Sequence, residues 1–94
     1  MAVRINKDIL AKLAERKITA AEVDQCFMNR DGGFCLDTRA QHLTDPLTQW
    51  FVAKTDKDRT LKIMFVPTKD GAEVKSAYEA TEEICRIYSK YAKP

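Results

Sequence analysis

Two hydrophobic periods divide the chain. In "INKDILAKLAERK" (5–17), Ile9, Leu10 and Leu13 fall on one side of a helix and leave Lys7, Lys12 and Glu15 for water. Asn6 stands where an N-cap belongs, with Ile5 and Leu10 at the two positions of a hydrophobic staple. The next segment, "ITAAEVDQCF" (18–27), repeats the signal. Thr19 and Glu22 have capping-box spacing, Ile18 and Val23 sit at the staple positions, and Val23, Cys26 and Phe27 share a face. "RDGG" then ends the helix.

Beyond it the period becomes two. "FCLDT" reads as a first strand, followed by "TQWFVAKT", "TLKIMFVP" and "AEVKSAY", with turns at "DKDR" and "TKDG". Thr81 caps a last helix from about Glu82 to Ala92. The order α-α-β-β-β-β-α predicts an α+β fold: two short N-terminal helices, a four-stranded, mostly antiparallel meander and a C-terminal helix, with the helices on one face.

The turns set an expected register. A two-residue turn at Lys57-Asp58 pairs Trp50 with Phe65 and Val52 with Ile63. A turn at "TKDG" pairs Phe65 with Val74 and Met64 with Lys75. One face then carries Trp50, Val52, Leu61, Ile63, Phe65, Val74 and Tyr78, the expected core. The other carries Phe51, Ala53, Lys62, Met64, Val66, Lys75 and Ala77. That second face is apolar for a solvent face, yet it holds two lysines on neighbouring strands. Three readings stand side by side: a mixed surface with lysine stems over apolar neighbours, an interface with a partner or a second copy, and a shallow anion site in which paired lysines stabilise a charged transition state. In the last helix, Ile84, Ile87, Tyr88 and Tyr91 form the expected inward stripe, and Glu82 and Arg86 a solvated pair. Tyr78 and Glu79 lie at the strand-to-helix junction, a rim where sites are often built.

Composition changes this picture little. Ninety-four residues, 45% hydrophobic and 32% charged, fit one globular domain, and no apolar run reaches the length of a membrane span. The charge-dotted N-terminal segment lacks a signal-peptide core, so a cytoplasmic protein without a membrane is expected. The net charge of +2 permits a nucleic-acid partner without demanding one. Cys26, Cys35 and Cys85 lack metal spacing and read as small packed thiols. His42, the one histidine, lies in the loop "DTRAQHLTDPLTQ" near Asp37, Arg39 and Asp45, and is either a surface residue or a general acid or base. No phosphate-loop, dinucleotide or nucleophile-elbow motif is present, and no metal or cofactor is expected. The pairs Asp56/Asp58 and Glu82/Glu83 fit turn and helix-start chemistry.

"KITAAEVDQCF", "LKIMFV" and "VKSAYEATEEICRIYSKY" together resemble small bacterial proteins of the BrnT-like and RelE-like toxin group. The matching residues are Thr19 to Val23, Leu61 to Val66 and Ala77 to Glu79, within a similarity spanning roughly residues 5–91. The resemblance implies a toxin–antitoxin protein that cleaves RNA without a metal: a 2′-hydroxyl attacks the adjacent phosphate while the protein orients the strand, moves protons and stabilises charge. Carried over by position, Lys62 and Lys75 would hold the phosphate, and Tyr78 or Glu79 would handle a proton. Arg86 would join them only with its helix face turned inward. An antitoxin is the implied protein partner. Similar small proteins also carry the label ADP-ribosyl-(dinitrogen reductase) hydrolase, a class that resembles a large all-helical fold with a two-metal carboxylate centre. This chain is too short for it and rich in strand. The competing expectation is a non-catalytic module that binds a protein, or a second copy, through Phe51, Lys62, Met64 and Lys75.

Overall fold

The computed structural model describes residues 2–37 and 45–92. Its elements are β1 (Ala2–Arg4), α1 (Lys7–Glu15), α2 (Ala20–Asn29), β2 (Cys35–Leu36), β3 (Gln49–Lys54), β4 (Thr60–Thr68), β5 (Gly71–Glu79) and α3 (Glu82–Tyr91). Among the described residues the expected α+β class holds, with three helices on a mixed sheet. The sheet has five strands rather than four, in the order β1-β5-β4-β3-β2. β2 to β5 form the antiparallel meander, and β1 adds in parallel to the outer side of β5. Three residues are too few to show an alternation, which is why β1 escapes the sequence pattern.

The helices form where their caps predict. Asn6 accepts from the Ile9 amide, and the Thr19–Glu22 capping box closes both ways. α1 stops in a Schellman turn: the amides of Lys17 and Ile18 donate to the carbonyls of Ala14 and Leu13, with Lys17 left-handed at φ 59°. That turn drops Ile18 into the core beside Leu13. α2 lays Val23 and Cys26 on the sheet, and Phe27, Phe34, Phe51 and Phe65 interlock edge to face with centroids 4.7–6.0 Å apart. Burial raises the Cys26 thiol to about 11, with the Glu22 charge adding to the effect, so this cysteine is a packing residue.

Two single-residue irregularities overturn the expected registers. In the β3–β4 hairpin, Thr55 pairs with Arg59, its carbonyl accepts from the Asp58 amide, and Asp58 is left-handed at φ 67°. The loop therefore holds three residues instead of two. Aspartate is among the few side chains that tolerate this conformation, and it hides the glycine-like position from a sequence reading. Trp50 consequently pairs with Met64, Phe51 with Ile63 and Val52 with Lys62. In the β4–β5 hairpin Phe65 does pair with Val74, but a bulge follows, so Met64 pairs with Ser76 rather than Lys75, and Lys62 with Tyr78.

The faces change accordingly. Phe51, Ala53, Leu61, Ile63, Phe65, Val74 and Ala77 make the buried core face under α1 and α2. Trp50, Val52, Lys62, Met64, Val66 and Tyr78 share the opposite face. The helices do not all lie on one side either: α3 packs on this second face, with the Tyr88 ring 5.8 Å from Trp50 and its hydroxyl donating to the Gly33 carbonyl at 2.7 Å. α3 turns Cys85, Tyr88 and Ala92 inward, while Ile87 and Tyr91 of the expected stripe are 41% and 68% exposed. Ile84 and Tyr88 of the expected stripe thus pack against the core, joined by Cys85 and Ala92, two small residues that the stripe left out.

β1 gives the fold a sensitive point. Its pairing brings the Ala2 backbone so close to Gly71 that a Cβ there collides with it. Gly71→Ala is expected to unseat β1 and lower stability by roughly 1–2 kcal/mol. Hydrogen exchange checks this: β1 and the start of β5 should lose protection, while β3 and β4 keep theirs.

Candidate functional site

Lys62 is the centre of the second face. Its neighbours follow from the corrected registers, Val52 across on β3 and Tyr78 across on β5. Trp50, two residues from Val52, lies on the same side. The Lys62 ammonium sits 4.4 Å from the Trp50 ring centroid and 5.6 Å from that of Tyr78. Only 9% of the lysine is exposed. Among the described residues no carboxylate lies within ion-pair distance of it. Aromatic faces attract an ammonium by about 0.5–2 kcal/mol each, less than the cost of taking it out of water. An anion drawn to this spot would supply what the rings do not.

A second cation reaches the same tyrosine. Arg16 caps the C-terminus of α1 and extends along the part of β5 that β1 leaves uncovered. Its guanidinium donates to the Ala77 carbonyl at 3.0 Å and the Ser76 hydroxyl at 3.3 Å, and lies 5.9 Å from the Tyr78 ring centroid. Cys35 borders the group through its pairing with Trp50. Burial raises the Cys35 thiol, and the nearby Lys62 charge opposes that shift.

The four site residues named from sequence do not form one constellation. Lys62 and Tyr78 come together as cross-strand partners. Lys75 is the extra residue of the bulge, and its ammonium is bound to Glu73 at 2.8 Å. Glu79 pairs with Leu61 at the end of β5 and accepts from Arg59 at 2.9 Å. Arg86 lines a shallow cleft on α3 with Glu83, Ile87 and Lys90, none of them a member of the cluster. His42 and Arg39 lie outside the described residues, and Asp37 is buried. The face imagined for protein binding is not assembled, because Phe51 is wholly buried under α2. Sequence reasoning missed Trp50 and Arg16. Trp50 is found by moving the register one residue, whereas Arg16 has no signal along the chain, since only the fold brings it to β5.

Among the described residues, no group of histidine, cysteine or carboxylate side chains has metal-holding geometry, and no helix is long and apolar enough to cross a membrane. No family model, curated protein or solved structure matches this chain.

Proposed function

We propose that this chain is a BrnT/RelE-like toxin, a cytoplasmic protein that cleaves single-stranded RNA without a metal at the Lys62–Tyr78 cluster, and that an antitoxin restrains it by covering that cluster. The observation that carries the reading is the sequestered Lys62 ammonium, held between two aromatic rings with no carboxylate partner among the described residues. Trp50 offers a plane for a base to stack on, and Lys62 with Arg16 offers positive charge for the phosphate.

The chemistry asked of these groups is limited. The 2′-oxygen attacks phosphorus and its proton goes to water. The bond to the 5′-oxygen breaks, and that oxygen takes a proton from the Tyr78 phenol, which solvent then replaces. A 2′,3′-cyclic phosphate and a 5′-hydroxyl result. Lys62 and Arg16 stabilise the extra negative charge of the phosphorane. Lys75 and Glu79, already paired with Glu73 and Arg59, take no part.

The test is cleavage of an unstructured RNA by the purified chain in excess chelator, with end-group analysis. Lys62→Ala is expected to slow cleavage by roughly 10²–10³-fold. Tyr78→Phe should lower kcat more than it changes KM. Lys57→Ala, in the exposed β3–β4 loop, should match the wild type. Intact RNA after incubation with the wild type, or equal rates for Lys62→Ala and the wild type, would overturn the reading. Expression alone should arrest growth, and Lys62→Ala should relieve the arrest.

A further inference from the structure

We infer that α2 is a self-association surface on which two copies of this chain pack with their α2 helices antiparallel about a two-fold axis. The inference rests on no part of the ribonuclease reading and uses the side of the sheet remote from Lys62.

The outward stripe of α2 is unusual for a solvent face. Ala21, Asp24 and Met28 follow one another at helical spacing and all are exposed, Met28 at 85%. Beside the stripe runs a groove of about 600 Å³ lined by Val3, Asp24, Phe27, Met28, Arg30 and Phe34. Phe34 is 41% exposed, and Leu36, two residues along, is 56% exposed. Exposed apolar side chains gathered at one groove mark association.

Charge points to a second copy as the occupant. Asp24 and Arg30 stand at opposite ends of the Phe27–Met28 segment, about 9 Å apart along the helix. Neither has an ion-pair partner among the described residues. Arg30 lies 4.1 Å over the Phe34 ring and donates to the Gly32 carbonyl, which holds its guanidinium at the groove. A two-fold axis over the outer face of α2 at the level of Phe27, midway between Asp24 and Arg30, sets Asp24 of each copy against Arg30 of the other. The same operation lowers each Met28 toward the groove of the other copy, where Phe34 is part of the lining. One patch that carries both signs and both shapes is complementary to itself, as an isologous dimer requires.

Sedimentation of the full chain over a wide concentration series tests this. The wild-type mass should rise from one chain toward two. Met28→Glu should raise the dimer dissociation constant at least roughly tenfold. Asp24→Arg and Arg30→Glu should each sediment as monomers, because each sets like charges together. Their equimolar mixture should dimerise, because both cross-pairs become attractive. A wild type that stays monomeric at every concentration overturns the inference, even if another protein binds the groove. So does a Met28→Glu variant as dimeric as the wild type, or a mixture that remains monomeric. Should Arg30→Glu fail to fold after losing its contact to Gly32, Met28→Glu decides alone, since its side chain has little to disturb.

Discussion

Phe51→Ala is expected to lower the unfolding free energy by about 3–5 kcal/mol, a large part of what a small domain possesses. Phe51 is fully buried, and its ring meets Phe27 at 4.7 Å, Phe34 at 5.7 Å and Phe65 at 6.0 Å. Removing it opens a cavity between α2 and the sheet that three other rings cannot close. Equilibrium denaturation checks the value, and it checks more than stability. With a two-residue turn between β3 and β4, Phe51 would stand on the open face with Lys62, and its loss would cost about 0.5 kcal/mol or less, as for ordinary surface positions. Trp50→Ala gives the opposite pattern. Trp50 is only partly buried, so the structural cost is smaller, but Lys62 loses its nearest ring at 4.4 Å. A small loss of stability at Phe51 with a large one at Trp50 would show the faces exchanged and remove the proposed site.

The elements were legible wherever a local rule fixes them. Asn6, Thr19 and Thr81 cap the three helices as their positions predict. β3, β4 and β5 run within a residue of the alternating segments, because period two is a property of each strand alone. Faces are different: they depend on how strands are set against one another, and one residue reverses them. Asp58 took the left-handed place usually held by glycine, and the bulge after Val74 added a residue that no composition announces. The two shifts act on opposite edges of β4. The first carries Trp50 to the side of Lys62, the second brings Tyr78 there and sends Ala77 to the core. A surface expected to show two lysines on an apolar field thus becomes one sequestered lysine between two rings. Lys62 was visible as a candidate, whereas its environment was a product of the turns.

Arg59→Met is expected to cost about 2–3 kcal/mol at neutral pH, because one guanidinium there ties the ends of several elements together. It donates to the carbonyls of Lys17 at 2.6 Å and Arg16 at 3.0 Å, where α1 has run out of amide partners. It also donates to Glu22 at 3.3 Å, at the start of α2, and to Glu79 at 2.9 Å, at the end of β5. The Glu79 carboxylate is 65% exposed and adds little, whereas Glu22 is 22% exposed and accounts for more of the loss. Methionine keeps the apolar stem and removes the donors, so the loss reports the polar contacts. Lysine should restore only part, since a point charge cannot serve carbonyls and carboxylates in several directions at once. The pH dependence separates the carboxylate contribution from the carbonyl one. Burial pushes the Glu22 carboxyl upward, but the Thr19 amide and Arg59 outweigh it and hold the group below its ordinary value of 4.5. A carboxylate with a lowered folded value stabilises fully above its unfolded value, and that contribution is lost as the pH falls through the folded one. The gap between wild type and Arg59→Met should therefore be widest near pH 7 and narrow as Glu22 protonates in both. A residual gap at low pH measures the bonds to Arg16 and Lys17. A gap unchanged by pH would mean that Glu22 contributes nothing through Arg59, and that the guanidinium serves the end of α1 alone.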